Sequence, residues 1–320
     1  MKPALVLLGI LVLATGCVHR AVEQKTTISP DAALRSIFQQ QTQGAFNPVT
    51  DDRRFGALQV RLKLNPQDFA ARLELAGVYE NYRLYDEGLE QYRESLRLAR
   101  SVPGDNASFA EKAVLGLRRC AQASSRAREA VPLLEEFLKE SPSAISWNEL
   151  GLLQDALGDF ASGEIAFREA IERDAKSDRF HNNLGYNLLL QNKSEAAEAE
   201  FRQALALNPK SITTRNNLGG LLARRGDLQG ALQQFQFSAD AATAHNNLAV
   251  VLLELGQYEQ SRDELVKALA LRHYFAPALS NFKLVQERIR DRAGLQKPGG
   301  VPPSKSPAAV VQSKDPEDRQ

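Results

Sequence analysis

Along most of the chain, apolar and small residues recur three and four apart in paired bursts separated by a short polar turn, the spacing of amphipathic helices. A leucine followed by a small residue marks the first burst of each pair. The mark stands at Leu75-Ala76, Leu150-Gly151, Leu184-Gly185, Leu218-Gly219 and Leu248-Ala249. The steps Leu150 to Leu184 and Leu184 to Leu218 are both 34 residues. Leu248 follows after 30, and Phe282 after a further 34. Leu117 lies 33 residues before Leu150 and fits with Arg118 in the small slot.

Each unit repeats more than its mark. In "WNELGLLQDALGDFASGEIAFREAIERD", Trp147 precedes Leu150-Gly151, Gly158 ends one helix and Phe160 opens the next; Gly163, Phe167 and Ala170 then follow at helical spacing. The next unit reads Leu184, Gly185, Leu188, Ala197, Phe201, Ala204, Pro209, and the one after reads Leu218, Gly219, Leu222, Gly226, Ala231, Phe235. Small residues let two helices approach, and large ones fill the gap between them. One such pair cannot bury its apolar face alone, so neighbours must stack into a continuous core.

A 34-residue period of paired helices resembles the tetratricopeptide repeat (TPR). The resemblance covers residues 67–293 and implies an all-α helix-turn-helix solenoid, a right-handed superhelix that binds other proteins or peptides in a concave groove. The array itself is expected over 67–276. Residues 277–293, "PALSNFKLVQERIRDRA", read as a charged capping helix. Residues 31–66 read as two N-terminal helices, at 31–43 and 52–64, around "GAFNPVT". The stretch "SVPGDNA" at 101–107 reads as a loop insertion. Residues 294–320 are too polar and proline-rich to build a core and read as a disordered tail.

The N-terminus departs from this pattern. Lys2 precedes an apolar run from Ala4 to Thr15, too short to span a bilayer comfortably. A basic start, a short apolar core and a small-residue end make a secretory signal over residues 1–16. Its end, "LATGC", resembles the bacterial lipobox, with Ala14 where that pattern usually has leucine. The resemblance implies lipidation of Cys17, several acyl chains giving stable anchoring, and a tether over 17–30. Val18 after the cysteine, in place of aspartate, implies the outer membrane, facing the periplasm. The alternative is an ordinary signal peptide with a chance cysteine.

Composition narrows the function. The 320 residues are 43% hydrophobic and 25% charged. Lys plus Arg number 40 against 39 Asp plus Glu, without the basic excess of a nucleic-acid binder. Cys17 and Cys120 are the only cysteines, so no disulfide framework exists; Cys120 reads as a small apolar helix residue. No histidine pair has metal spacing, and no phosphate loop or nucleophile elbow occurs. His181 and His245 occupy the slot of Trp147 and read as packing residues. The carboxylates read as solvated helix faces. The expectation is a non-enzymatic protein without cofactor or metal.

One feature asks for an explanation. Asparagine costs a helix about half a kcal/mol relative to alanine, yet "HNNLG", "RNNLG" and "HNNLA" place Asn182-Asn183, Asn216-Asn217 and Asn246-Asn247 before three marker leucines. Asn148 and Asn281 extend the series in part; Glu149 and Ser280 interrupt it. Amides donate and accept. A ladder of them could clamp an extended peptide backbone, as in some superhelical TPR proteins that this series resembles, with selectivity from Leu152, Tyr186, Leu189, Val250, Leu253, Arg224 and Glu254. Alternatively they bond neighbouring helices and hold the superhelix. The lipobox, the asparagine series and the shortened repeat at "SADAATAHNNLA" together resemble TadD-type lipoproteins of Flp/Tad pilus assembly, and more loosely the PilF/PilW pilotins, which implies envelope, secretin or pilus partners. The alternatives are an NlpI-like adaptor for peptidoglycan hydrolases or proteases, and a self-associating scaffold.

Overall fold

The computed structural model describes residues 48–101 and 107–294. The signal segment, Cys17, the tether, the helix expected at 31–43, most of the "SVPGDNA" insertion and the tail beyond Gly294 lie outside the described residues. The described residues are helical and fall into two compact units, 48–173 and 174–294.

The first unit contains α1 (Pro48–Asp51), α2 (Arg53–Leu64), α3 (Phe69–Asn81), α4 (Tyr85–Ser101), α5 (Ala107–Ala123), α6 (Ala127–Glu140), α7 (Ala144–Ala156) and α8 (Phe160–Arg173). The second contains α9 (Asp178–Leu190), α10 (Ser194–Leu207), α11 (Ile212–Arg224), α12 (Leu228–Ser238), α13 (Ala241–Glu254), α14 (Tyr258–Leu271) and α15 (Ala276–Arg292). Within each unit every helix packs on the next, and the first helices of successive pairs also touch: α3 on α5 and α5 on α7, then α9 on α11, α11 on α13 and α13 on α15. The final helix thus stacks as the first half of another pair, against α13 and α14.

Local chemistry explains the pairs. Side-chain caps start several first helices: Asp68 accepts from the Ala71 amide, Ser143 from Ser146, Ser211 from Thr214 and Asp240 from Thr243. Every first helix from α3 to α13 ends the same way, with one residue at positive φ. It is glycine at Gly158, Gly226 and Gly256, but Arg83, Ser125 and Asn192 take the same conformation at φ 58–62°. In all six, the next residue's amide bonds five residues back, as from Asp159 to Gln154 and from Arg126 to Ala121. This is the left-handed cap that satisfies the orphan carbonyls of a helix end.

The glycines of the marker pairs let aromatic rings in. A Cβ on Gly151 would lie 2.7 Å from the Phe167 ring, on Gly185 2.8 Å from Phe201, and on Gly219 2.8 Å from Phe235. Where Ala249 replaces the glycine, Leu265 replaces the phenylalanine. In the first unit the core runs through Leu89, Leu96, Leu117, Leu134, Leu150 and Leu153, with Cys120 among them; Phe55 and Leu58 join α2 to Leu75 and Val78 of α3.

Candidate functional site

The repeated asparagines lie on the first helices, and the structure places them between helices more than on open surface. Asn182 is 7% exposed, Asn216 5%, Asn217 2%, Asn246 0% and Asn247 2%, with Asn281 of α15 at 2%; only Asn183 is half-buried. They bond one another by a rule. Asn217, immediately before its marker leucine, donates from Nδ2 to Oδ1 of Asn182, which stands two before the marker of the previous repeat, at 2.9 Å. Asn281 donates to Asn246 in the same way, at 3.0 Å. Asn182 Nδ2 in turn donates to Asn183 at 3.3 Å.

The shortened repeat breaks the rule. There Ser238 stands where other second helices carry Ala170, Ala204 or Ala268, and its Oγ donates to Asn216 Oδ1 at 2.6 Å. Asn247 Nδ2 and Asn217 Oδ1 are buried with no partner among the described residues. Rungs should therefore differ in strength. Asn217→Ala removes a donor and strands a buried acceptor, so a loss of about 1–3 kcal/mol is expected. Asn247→Ala removes an amide that only accepts a long bond, 3.5 Å, from Asn246 on its own helix and should cost clearly less. Chemical denaturation of both variants checks this; equal losses would mean the bond to Asn182 contributes nothing.

The side chains expected to give selectivity are distributed unevenly. Tyr186 and Leu189 are half-buried one and two turns beyond Asn183, whereas Val250 is 1% exposed, inside the packing. The two charges meet each other: Arg224 Nη2 lies 2.6 Å from Glu254 Oε2, the side chains 22% and 19% exposed. Burial raises the Glu254 carboxyl above the usual range, with Arg224 pulling the other way.

In the first unit Asn148 is fully buried and donates to Glu149 at 2.9 Å. The carboxylates are not all on solvated faces, as the sequence reading expected. Glu149 is 1% exposed and is held by the Arg118 guanidinium, which also donates to Gln122 at 2.5 Å. Arg118 occupies the small slot of its repeat, so an ion pair joins α5 to α7 where the second unit uses amides.

A second recurrence escaped the sequence reading. The slot of Trp147 is polar in four other repeats and there reaches a residue 19 positions on, in the second helix, whereas Val114 and Leu279 fill it elsewhere. Arg72 donates to Gln91 at 3.1 Å, Arg215 to Gln234 at 3.0 Å, and His181 and His245 bond Glu200 and Glu264 at 2.7 and 2.6 Å. Arg72 and Arg215 also donate back to the carbonyls of Pro66 and Pro209, at 2.8 and 2.7 Å. The two histidines are therefore polar ties within their helix pairs rather than packing groups; the arginines in the same slot were the available signal.

Cys120 is buried among the apolar side chains, and burial pushes its thiol up to about 12. Thiolate is the reactive species, so in a Cys17→Ser background the folded chain should resist an aromatic disulfide reagent at pH 8 and react once denatured. Rapid labelling of the native chain would contradict this environment. Among the described residues no group of three or more His, Cys, Asp or Glu side chains could hold a metal ion, and no helix is long and apolar enough to cross a membrane.

Comparison with known proteins bears on the fold. One tetratricopeptide repeat family model matches residues 120–178 and 182–236, and a second matches 241–273. No curated protein matches the chain. A tetratricopeptide repeat protein from Parabacteroides merdae is similar in structure, with a TM-score of 0.53 at 15% identity over 80% of this chain and 98% of that one. The Cut9–Hcn1 hetero-tetramer of APC/C gives 0.50 at 15% identity over 79% of this chain, which spans 51% of that one. PilF of Pseudomonas aeruginosa gives 0.49 at 16% identity over 70% and 99%. Identities this low bear on the fold alone. With the helix pairs, left-handed turns and glycine–aromatic contacts above, the family-model matches make residues 120–178, 182–236 and 241–273 tetratricopeptide repeats, and the described residues form an all-α TPR solenoid, of the kind that serves as a protein-interaction scaffold.

Proposed function

We propose that this chain is a non-enzymatic adaptor of the bacterial envelope, lipid-anchored through Cys17 at the outer membrane and facing the periplasm. It holds a peptide segment of another envelope protein on the face formed by α9, α11 and α13, in the service of a pilus or secretin assembly. One observation carries the binding reading. A hydrogen-bonded amide pair joins α9 to α11, and the same face carries Asn183, Tyr186 and Leu189 half-buried. Rigid, partly exposed aromatic and apolar groups on a preorganised frame are what a peptide anchor needs. On this reading the buried amides are the frame, and the half-buried residues with the Arg224–Glu254 pair meet the ligand. Anchoring rests on "LATGC", and the pilus setting on the resemblance to TadD-type lipoproteins.

The test is affinity capture of the lipidated protein from detergent-solubilised envelopes, beside a Tyr186→Ala/Leu189→Ala variant with an unchanged circular dichroism spectrum. Secretin or pilus proteins lost from the variant are the expected result. Cell-wall hydrolases in their place would move the function to their regulation, and an unchanged partner set would remove this face from binding. Globomycin should cause the precursor to accumulate; processing indifferent to the drug would refute the lipid anchor.

A further inference from the structure

The amide series of the 174–294 unit is interrupted at a single residue. On α9 and α13 the asparagine two before the marker leucine plays two parts. It donates to the next residue of its own helix, Asn182 to Asn183 at 3.3 Å and Asn246 to Asn247 at 3.5 Å. It also accepts from the next first helix, from Asn217 at 2.9 Å and from Asn281 at 3.0 Å. On α11 the same position is Asn216, and its Oδ1 is taken by Ser238 Oγ at 2.6 Å. Two buried atoms of the series then have no partner among the described residues, Asn217 Oδ1 and Asn247 Nδ2. They are the acceptor and the donor that Asn216 would meet if its side chain were placed as those of Asn182 and Asn246 are.

The two placements of Asn216 oppose each other in energy. Held by Ser238, it makes one hydrogen bond and strands two buried groups, each of which forgoes its bonds to water. Turned into the series, it makes two and strands neither. Ser238 keeps a partner in both cases, because its Oγ also donates to the Phe235 carbonyl at 2.9 Å. Hydrogen bonding alone therefore favours the second placement. The repeat opposes it, since Leu248 follows Leu218 after 30 residues where other steps are 34, and this sets α13 at a different offset along α11. Ser238, in a slot that holds alanine in three other second helices, supplies the competing donor.

We infer that Asn216 is a two-position switch, latched by Ser238 in one state and bridging Asn217 to Asn247 in the other. Bridged, the amides run unbroken from Asn281 of α15 through α13 and α11 to Asn183 of α9, and the four first helices are tied together. Latched, they form two separate ties, α9 with α11 and α13 with α15. A force that slides α13 along α11 selects between the states. The switch needs no ligand, so it stands whether or not the face proposed above holds a peptide.

The experiment removes the latch with Ser238→Ala in the full chain, with Asn216 present and with Asn216→Ala, and follows urea unfolding. With Asn216 present, Ser238→Ala should raise the folding equilibrium constant by a factor about tenfold larger than it does with Asn216→Ala, the scale of one net hydrogen bond. The better helix propensity of alanine enters both comparisons and cancels. If Asn216 had only the latched position, Ser238→Ala would strand its buried acceptor, the order would reverse, and the inference would be overturned. A crystal structure of Ser238→Ala gives a second readout that does not need the Asn216→Ala chain to fold. It should place Asn216 Oδ1 about 3 Å from Asn247 Nδ2 and Asn216 Nδ2 about 3 Å from Asn217 Oδ1. An Asn216 side chain that keeps its present direction would overturn the inference as well. Backbone amides of α13 should exchange about tenfold more slowly in Ser238→Ala, because the helix is then tied to α11; unchanged exchange would mean that the amides do not couple the two halves.

Discussion

Phe201→Ala will destabilise the 174–294 unit by about 3–5 kcal/mol, the range for deleting a large ring from a core that cannot collapse around the loss. Phe201 is 0% exposed, and its ring stands against Gly185, where even a methyl group would come within 2.8 Å. The contact joins the two helices of one pair, and the pair must be formed before its neighbours can stack on it. Stability in a repeat array is a sum of unit and interface terms, so the loss should appear as a separate early phase. Urea unfolding followed by far-ultraviolet circular dichroism should show that phase, with a shallower denaturant dependence than the parent because less surface is exposed in it. Phe237→Ala supplies the control. Phe237 is 69% exposed and only stacks on Arg215, 4.3 Å from the ring centroid, so its removal should cost under about 1 kcal/mol. If the two variants lose equal stability, the glycine–aromatic contact is not what holds the pair.

Glu149→Ala should be comparably damaging, through charge and not volume. The Glu149 side chain is 2% exposed and that of Arg118 13%, so removing the carboxylate leaves a guanidinium mostly out of water with its main partner gone. Breaking a buried pair on one side costs about 3–5 kcal/mol, whereas replacing both partners with apolar groups is often neutral or better. Arg118→Met/Glu149→Leu should therefore recover most of what Glu149→Ala loses. Recovery would be incomplete where Asn148, which donates to Glu149, and Gln122, which accepts from Arg118, are left short of partners. Denaturation of the two single variants and the double variant measures the coupling. A double variant as weak as the sum of the singles would mean that the pair matters through packing alone.

The period, the helix pairs and the glycine–aromatic contacts were determined by the sequence itself, because each depends on residues close in the chain. Leu184, Gly185 and Phe201 lie within one helical hairpin, and their spacing alone dictates which faces meet. The turn after each first helix was legible at Gly158, Gly226 and Gly256 for the same reason. Arg83, Ser125 and Asn192 hid the same turn, since the chain there accepts a left-handed residue that composition does not advertise. The asparagine series was visible as a series, but not its bonding. Whether Asn217 reaches Asn182, or Asn247 Nδ2 is left without an acceptor, depends on how far one helix slides along the next. That offset is set by repeat length and by side-chain volume throughout the stack, so a repeat four residues short and one serine in an alanine slot redirect the hydrogen bonds. The Arg118–Glu149 pair was decided in the same way. Its residues stand 31 positions apart, and only the stacking of separate helix pairs brings them together.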